Sequence, residues 1–243
     1  MRVLMGISYK GTAYCGWQRQ KNALSVQEVL AKAWHVVTGE TVTLHGSGRT
    51  DAGVHALCQP VHLDTHTSIP MDKLPFALNT KLPPDIRVLW AKEVPADFHA
   101  RFSVVRKTYL YKLYWGPHAD PFRTDTHCHL VARPDVDLMR QAAQVLLGEH
   151  DFKAMQATGG HVKSTVRTLY RIDIREEGNE IEVEVEGNGF LYNMVRILVG
   201  TLVYAGWGWL TPDQIAEGLE NRDRTALGKT LPAEGLYLKE VEY

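Results

Sequence analysis

Cysteine is scarce in this 243-residue chain: Cys15, Cys58 and Cys128 are odd in number and never stand as C-x-x-C. That argues against a disulfide framework or a cysteine-rich zinc site and fits a reducing cytoplasm. No run of about 18 uninterrupted apolar residues occurs, so no membrane span is expected. The best candidate, residues 194–209, is short and carries Arg196 near its start. The opening MRVLMGISYK has no long apolar core and no small-residue cleavage site, so no signal peptide is expected. Charge of one sign is also missing, with 27 basic against 28 acidic side chains and a net charge of −1. A protein that holds nucleic acid by bulk charge carries a positive excess. Composition therefore gives no argument for RNA, and a basic face has to be local. No low-complexity run or Pro/Ser/Gly-rich linker interrupts the chain.

What is present is an ordinary globular profile, 44% hydrophobic and 23% charged, with material for a substantial core. The length suits one large domain or two of about 100–150 residues. Val3 to Tyr9 reads as a strand. Ser25-Val26-Gln27-Glu28 has capping-box spacing, and Val26, Leu30, Ala33 and Trp34 then recur at helical intervals. Val42 to Leu44 and Val61 to Leu63 read as strands on either side of a glycine-rich loop. Met71 to Leu78 reads as a short helix and Ile86 to Val94 as a strand. In the second half, Thr108 to Trp115 reads as a strand, Leu138 to Leu147 as a helix closed by Gly148, and 166–174 with 181–185 as an antiparallel pair turning at 177–179. Phe190 to Tyr204 is an apolar helix, Thr211-Pro212 starts another, and Leu236 to Val241 closes the chain as a strand. A β-α-β-β-α-β order thus appears roughly twice. This predicts an α+β fold of two ferredoxin/RRM-like halves, residues 1–104 and 105–243, with mixed, mainly antiparallel sheets joined around a central active-site cleft.

The densest segment is His45-Gly46-Ser47-Gly48-Arg49-Thr50-Asp51-Ala52-Gly53-Val54-His55. Three glycines among eight residues allow tight turns and close backbone approach. The loop lacks the Lys-Ser/Thr ending of a P-loop and the spacing of a dinucleotide fingerprint. Arg49 and Asp51, two apart, share one side if the segment is extended, so a guanidinium and a carboxylate can face one substrate. By residue type alone, a structural turn fits as well as a site. Arg196 stands among Phe190, Leu191, Met194, Val195, Ile197 and Leu198, where an unpaired charge is costly, so it is expected to find a buried partner. His127-Cys128-His129 has two histidines on one face if extended, but no second ligand pair at a metal-site spacing. It reads as an edge strand or loop, and no metal is assigned.

Five ordered segments resemble the TruA family of tRNA pseudouridine synthases: Tyr9 to Gln20 (YKGTAYCGWQRQ), the GRTDAGVH stretch from Gly48 to His55, Asp97 to Phe102 (DFHARF), Asn193 to Arg196, and Glu234 to Leu238. Together they span nearly the whole chain. Lys10 is a departure, since the family usually has Asp there. The resemblance implies an isomerase that converts uridine to pseudouridine at positions 38, 39 and 40 of the tRNA anticodon arm, without a cofactor. Asp51 matches the family's nucleophile, acting at C1′ or through a glycal route. Arg196 matches the arginine that pairs with it, Tyr109 the tyrosine that stacks on the target uracil, and Leu236 an apolar wall of the pocket. Arg49 is implied in holding the flipped nucleotide, and Gln18, His55, Arg101 and Lys81 are weaker candidates for RNA contact. Arg19, Lys21, Arg106, Lys107, Lys112, Lys163 and Arg167 are available for a local basic face. The family also implies a homodimer in the cytoplasm. Two other readings compete. An RNA-binding module without catalysis favours RNP-type aromatics, which are absent from the sequence. A hydrolase using Asp51 with His45 or His55 lacks any further recognisable partner.

Overall fold

Residues 1–21, 23–160 and 162–243 are described by a computed structural model. In chain order the elements are β1 (Arg2–Tyr9), α1 (Val26–Thr38), β2 (His45–Gly46), β3 (His55–Asp64), α2 (Leu74–Asn79), β4 (Ile86–Val94), β5 (Arg106–Trp115), β6 (Cys128–Leu130), α3 (Val136–Gln144), β7 (Gly148–Asp151), β8 (Val166–Glu177), β9 (Glu180–Gly187), α4 (Met194–Gly206), α5 (Pro212–Glu220) and β10 (Leu236–Glu242). This is an α+β fold with mixed, mainly antiparallel strand pairing, as the sequence pattern predicts. Two compact units result: Met1–Val105 with Tyr237–Tyr243, and Arg106–Leu236.

In the first unit the strand order is β4-β1-β3-β10, with β2 added to β3. β1 runs antiparallel to both β3 and β4, whereas β10 joins β3 in parallel. β1 is apolar along most of its length because it is central and covered; Val3, Met5 and Ile7 are fully buried. Side chains of this size each contribute about 1.5–3 kcal/mol on burial. The α1 stripe Val26, Leu30, Ala33 and Trp34 is buried, as its helical spacing requires. Half of the expected capping box forms: Ser25 Oγ accepts the Glu28 N–H at 3.3 Å. The Glu28 carboxylate instead pairs with Lys32 Nζ at 2.7 Å, one helical turn on. The strand expected at 42–44 lies further along, at His45–Gly46, pairing with His62 and Val61. Leu44 is buried ahead of it, and its carbonyl accepts Gln27 Nε2 at 2.9 Å.

In the second unit the order is β5-β9-β8-β7, all antiparallel, with β6 parallel to β5. Cys128 and His129 of the His127-Cys128-His129 stretch lie in this short strand, and His127 stands just before it. α3 packs on α4 and β8, and α4 packs on β5. Two helices of this unit differ in their bounds from the sequence expectation for local reasons. Asp135 caps α3 by accepting the N–H groups of Asp137 and Leu138, so that helix begins at Val136 and ends at Gln144, before Gly148 opens β7. Asn193 at φ 60° interrupts the apolar 190–204 run, so α4 begins at Met194. α4 is buried nearly all round. The segment after α5 crosses it where Gly200 lies against the Lys229 carbonyl so closely that any Cβ there must displace backbone. Thr201 Oγ1 accepts the Gly228 N–H at 3.1 Å in the same crossing.

Glycine-to-alanine exchange in a helix interior normally stabilises by about 1 kcal/mol. Gly200→Ala should do the reverse and destabilise by about 1–3 kcal/mol through overpacking. Chemical denaturation of the variant checks this, and a stability gain would contradict the crossing.

Candidate active site

The Asp51 loop owes its shape to a second loop. The first residues of α1 lack intrahelical acceptors for their N–H groups. Val26 and Gln27 donate theirs to the carbonyls of Gly16 and Trp17 at 3.2 and 3.1 Å, fastening residues 10–17 to the helix start. That fastened loop then grips the Asp51 segment. The Trp17 N–H donates to the Thr50 carbonyl at 3.1 Å, and the Gly53 N–H donates to the Tyr14 carbonyl at 3.3 Å. The Gly11 N–H donates to His55 Nδ1 at 2.8 Å. Gly16, at φ +95°, lies against the Thr50 carbonyl, where a side chain would collide with backbone. Only glycine satisfies both the left-handed conformation and the close approach. The Val54 N–H closes a tight turn on the Asp51 carbonyl at 3.1 Å.

The loop is pinned by side chains as well. Tyr9 Oη lies 2.7 Å from Thr50 Oγ1 and 3.3 Å from Gln59 Oε1, and Gln59 Nε2 donates to the Gly48 carbonyl at 3.2 Å. Tyr9, Thr50 and Gln59 are all buried. Between these anchors Arg49 is exposed and Asp51 half-buried, so a guanidinium reaches solvent two residues from a carboxylate that is partly sheltered. His55 is 1% exposed, with its ring 4.6 Å from that of Tyr237 and its Nδ1 occupied, so it braces the loop from inside. Gln18 is half-buried and bonded to Gln27 Oε1 at 2.9 Å. Arg101 is exposed, with its guanidinium 5.7 Å from the centre of the exposed Phe102 ring. Lys10 and Lys81 are exposed, and the Lys10 N–H is held by the Asp85 carbonyl.

The second unit places the other expected residues. Tyr109 is half-buried on β5, its ring edge-on to Phe190 at 5.0 Å. Arg196 is half-buried on the first turn of α4. Its Nε donates to the Leu231 carbonyl at 2.6 Å and its Nη1 to Asn193 Oδ1 at 2.8 Å. These oxygens answer the need for partners in an apolar neighbourhood. Leu236 is buried where β10 begins, next to Gly235, which lies against the Tyr111 ring. Of the basic residues available for a local positive face, Arg106 pairs with Glu186 at 2.9 Å and Lys112 with Glu182 at 3.2 Å. Tyr9 and Trp17 fall within the first of the five family-like segments without any sign there of their role as loop anchors, and Gln59 lies outside all five.

The family model described as tRNA pseudouridine synthase matches residues 5–103 and 142–243. The "tRNA pseudouridine synthase A" of Ruminiclostridium cellulolyticum is 48% identical over 243 residues, covering 100% of this chain and 99% of that protein. Proteins with the same name are 47% identical over 241 residues in Thermoanaerobacter sp., covering 99% of each chain, and 44% identical over 245 residues in Bacillus subtilis, covering 100% of this chain and 99% of the other.

Beside the loop, ring nitrogens of His45, His62 and His99 lie within 4.8 Å of one another, a spacing that suits a metal. The hydrogen bonds oppose that use. His62 Nδ1 accepts the Ala100 N–H at 3.1 Å, and His99 Nδ1 accepts the Arg101 N–H at 3.1 Å. The neutral rings therefore carry their protons on Nε2, which leaves no lone pair there for a cation. Burial pushes the His62 imidazole down to about 4, assisted by His45, His99 and Arg2 and opposed by Asp64. His99 is lowered for the same leading reason. A base depressed in the folded state stabilises fully above its ordinary value near 6.5, and that contribution is lost as pH falls toward 4. The unfolding midpoint should therefore drop between pH 6.5 and 4. His62→Asn, whose Oδ1 can still accept the Ala100 N–H, should flatten the drop; equal slopes in parent and variant would contradict the assignment.

Proposed function

Because the chain belongs to the tRNA pseudouridine synthase family, we propose that it isomerises uridine to pseudouridine at positions 38, 39 and 40 of the tRNA anticodon arm, with the Asp51 carboxylate as nucleophile. The observation that carries this reading is the held loop. Asp51 is half-buried on a backbone fixed by hydrogen bonds at Gly48, Thr50 and Gly53. A nucleophile gains rate from being held in one geometry, since the ordering is completed before the reaction begins. In the isomerisation the N1–C1′ bond breaks, the uracil turns, a C5–C1′ bond forms, C5 loses its proton and N1 gains one. Atoms and electrons balance within the nucleotide, so no cofactor is required. The carboxylate serves either by attacking C1′ or by assisting base loss through a glycal.

Tyr109 stacks on the uracil once it has left the RNA stem, Arg196 keeps the nucleophile ionised, and Leu236 supplies an apolar wall, as the family's motifs imply. The exposed Arg49, two residues from Asp51, holds the flipped nucleotide, and Arg101 and Gln18 contact the RNA around it. Because composition is neutral and Arg106 and Lys112 are engaged with glutamates, recognition rests on shape and a limited set of backbone contacts. The enzyme acts as a cytoplasmic homodimer.

Asp51→Asn keeps the shape of the side chain and removes its charge. It should abolish pseudouridine at positions 38–40, mapped in treated tRNA, while tRNA affinity stays within about threefold. A substantially active Asn variant would overturn the nucleophile, and product at other positions would overturn the site of action.

A further inference from the structure

The buried polar chain under the Asp51 loop has a direction. Tyr9 Oη has one proton, and Gln59 Oε1, 3.3 Å away, can only accept, so the bond between them uses that proton. Thr50 Oγ1, 2.7 Å from the same oxygen, then supplies its own proton to it. Gln59 Nε2 completes the run by donating to the Gly48 carbonyl at 3.2 Å. The sequence of donors is Thr50, Tyr9, Gln59, ending on the Gly48 backbone. Each link polarises the next, and Gln59 is fully buried, so an unmade bond here cannot be replaced by water. The two ends of the run meet the loop on either side of Arg49: at the Gly48 peptide and at the Thr50 side chain, immediately before Asp51. Gln59 also fills the space above Gly46, where a Cβ would come within 2.7 Å of its Nε2 and of Trp17 Nε1.

We propose that Gln59, acting through Tyr9 and Thr50, is a positioning residue for catalysis that sets the direction in which Asp51 leaves the loop. The inference rests on Asp51 being the nucleophile. Gln59 touches the Gly48 carbonyl and the Tyr9 hydroxyl, and its effect is on where the carboxylate stands. A shift of about 1 Å in a reacting group costs up to about a hundredfold in rate. A residue that only supports folding would change the fraction of folded enzyme and leave turnover per folded molecule alone. A residue that positions the nucleophile lowers kcat and spares KM for tRNA.

Gln59→Met keeps the length of the side chain and removes both hydrogen bonds; Tyr9→Phe removes a single oxygen and guards against a folding failure of the first variant. Steady-state kinetics on tRNA, with enzyme concentration corrected for the folded fraction and temperature held below the unfolding midpoints, should show kcat reduced about tenfold to a hundredfold in each, with KM within twofold. The double variant should be no slower than the slower single one, because both interrupt one chain. A kcat within twofold of the parent in both single variants, or independent losses that multiply in the double, would overturn the proposal. Asp51→Asn in the same assay separates the two levels. An active Asp51→Asn enzyme removes the nucleophile and the positioning role with it, whereas an inactive one beside fully active Gln59→Met and Tyr9→Phe enzymes removes the positioning role alone.

Discussion

The packing of one backbone directly on another, at Gly16 against Thr50, is the constraint on which the candidate site depends. A side chain at residue 16 would have to occupy the space of the Thr50 carbonyl in a conformation that L-residues avoid. With glycine there, the Trp17 N–H and the Tyr14 carbonyl reach the segment that carries Asp51. The same short loop caps α1 through the Gly16 and Trp17 carbonyls, so the helix start, the gripping loop and the Asp51 segment form one hydrogen-bonded body. A carboxylate carried on an irregular loop thereby gains the fixed placement that helices and strands usually provide.

Polar groups around this body are satisfied by partners of modest charge. His55 accepts a backbone N–H and Gln59 bonds a backbone carbonyl; within the second unit, Arg196 is likewise held by a carbonyl and an amide oxygen. Neutral partners fix geometry without adding charge. Strand β9 of the second unit is different. There the β9 glutamates alternate with apolar residues, and Glu182, Glu184 and Glu186 meet Lys112, Arg171 and Arg106. These pairs engage Lys112, Arg171 and Arg106 with the glutamates of a single strand.

Long periodic elements were legible because one physical signal dominates each. The α1 stripe, the β8–β9 pair and the Thr211-Pro212 helix start are read from spacing and caps, and α5 does show the reciprocal capping box between Thr211 and Gln214. The Glu28 half of the α1 box was not legible, because Lys32 competes for the same carboxylate. The strand at 42–44 was misplaced because Leu44 is buried without being paired, a tertiary fact that hydrophobicity alone cannot separate from strand formation. At the candidate site, Arg49 and Asp51 stood out through their glycine-rich setting and the family's motif. Gln59 did not, and Tyr9 and Trp17 stood only inside the family's opening segment, because what they anchor lies 11 to 50 residues away in the chain and sequence spacing carries none of that. His55 stood out for its motif, yet its burial places it beneath the loop.

The reaction is tested most directly by release of tritium from tRNA labelled at uridine C5, with parent and Asp51→Ala enzymes assayed side by side in a metal-chelating buffer without added nucleotide. C5 gives up its hydrogen only when a new bond forms there. Release by the parent and none by a folded Asp51→Ala variant is the predicted result. A folded parent that binds the labelled tRNA and releases no tritium would contradict the account.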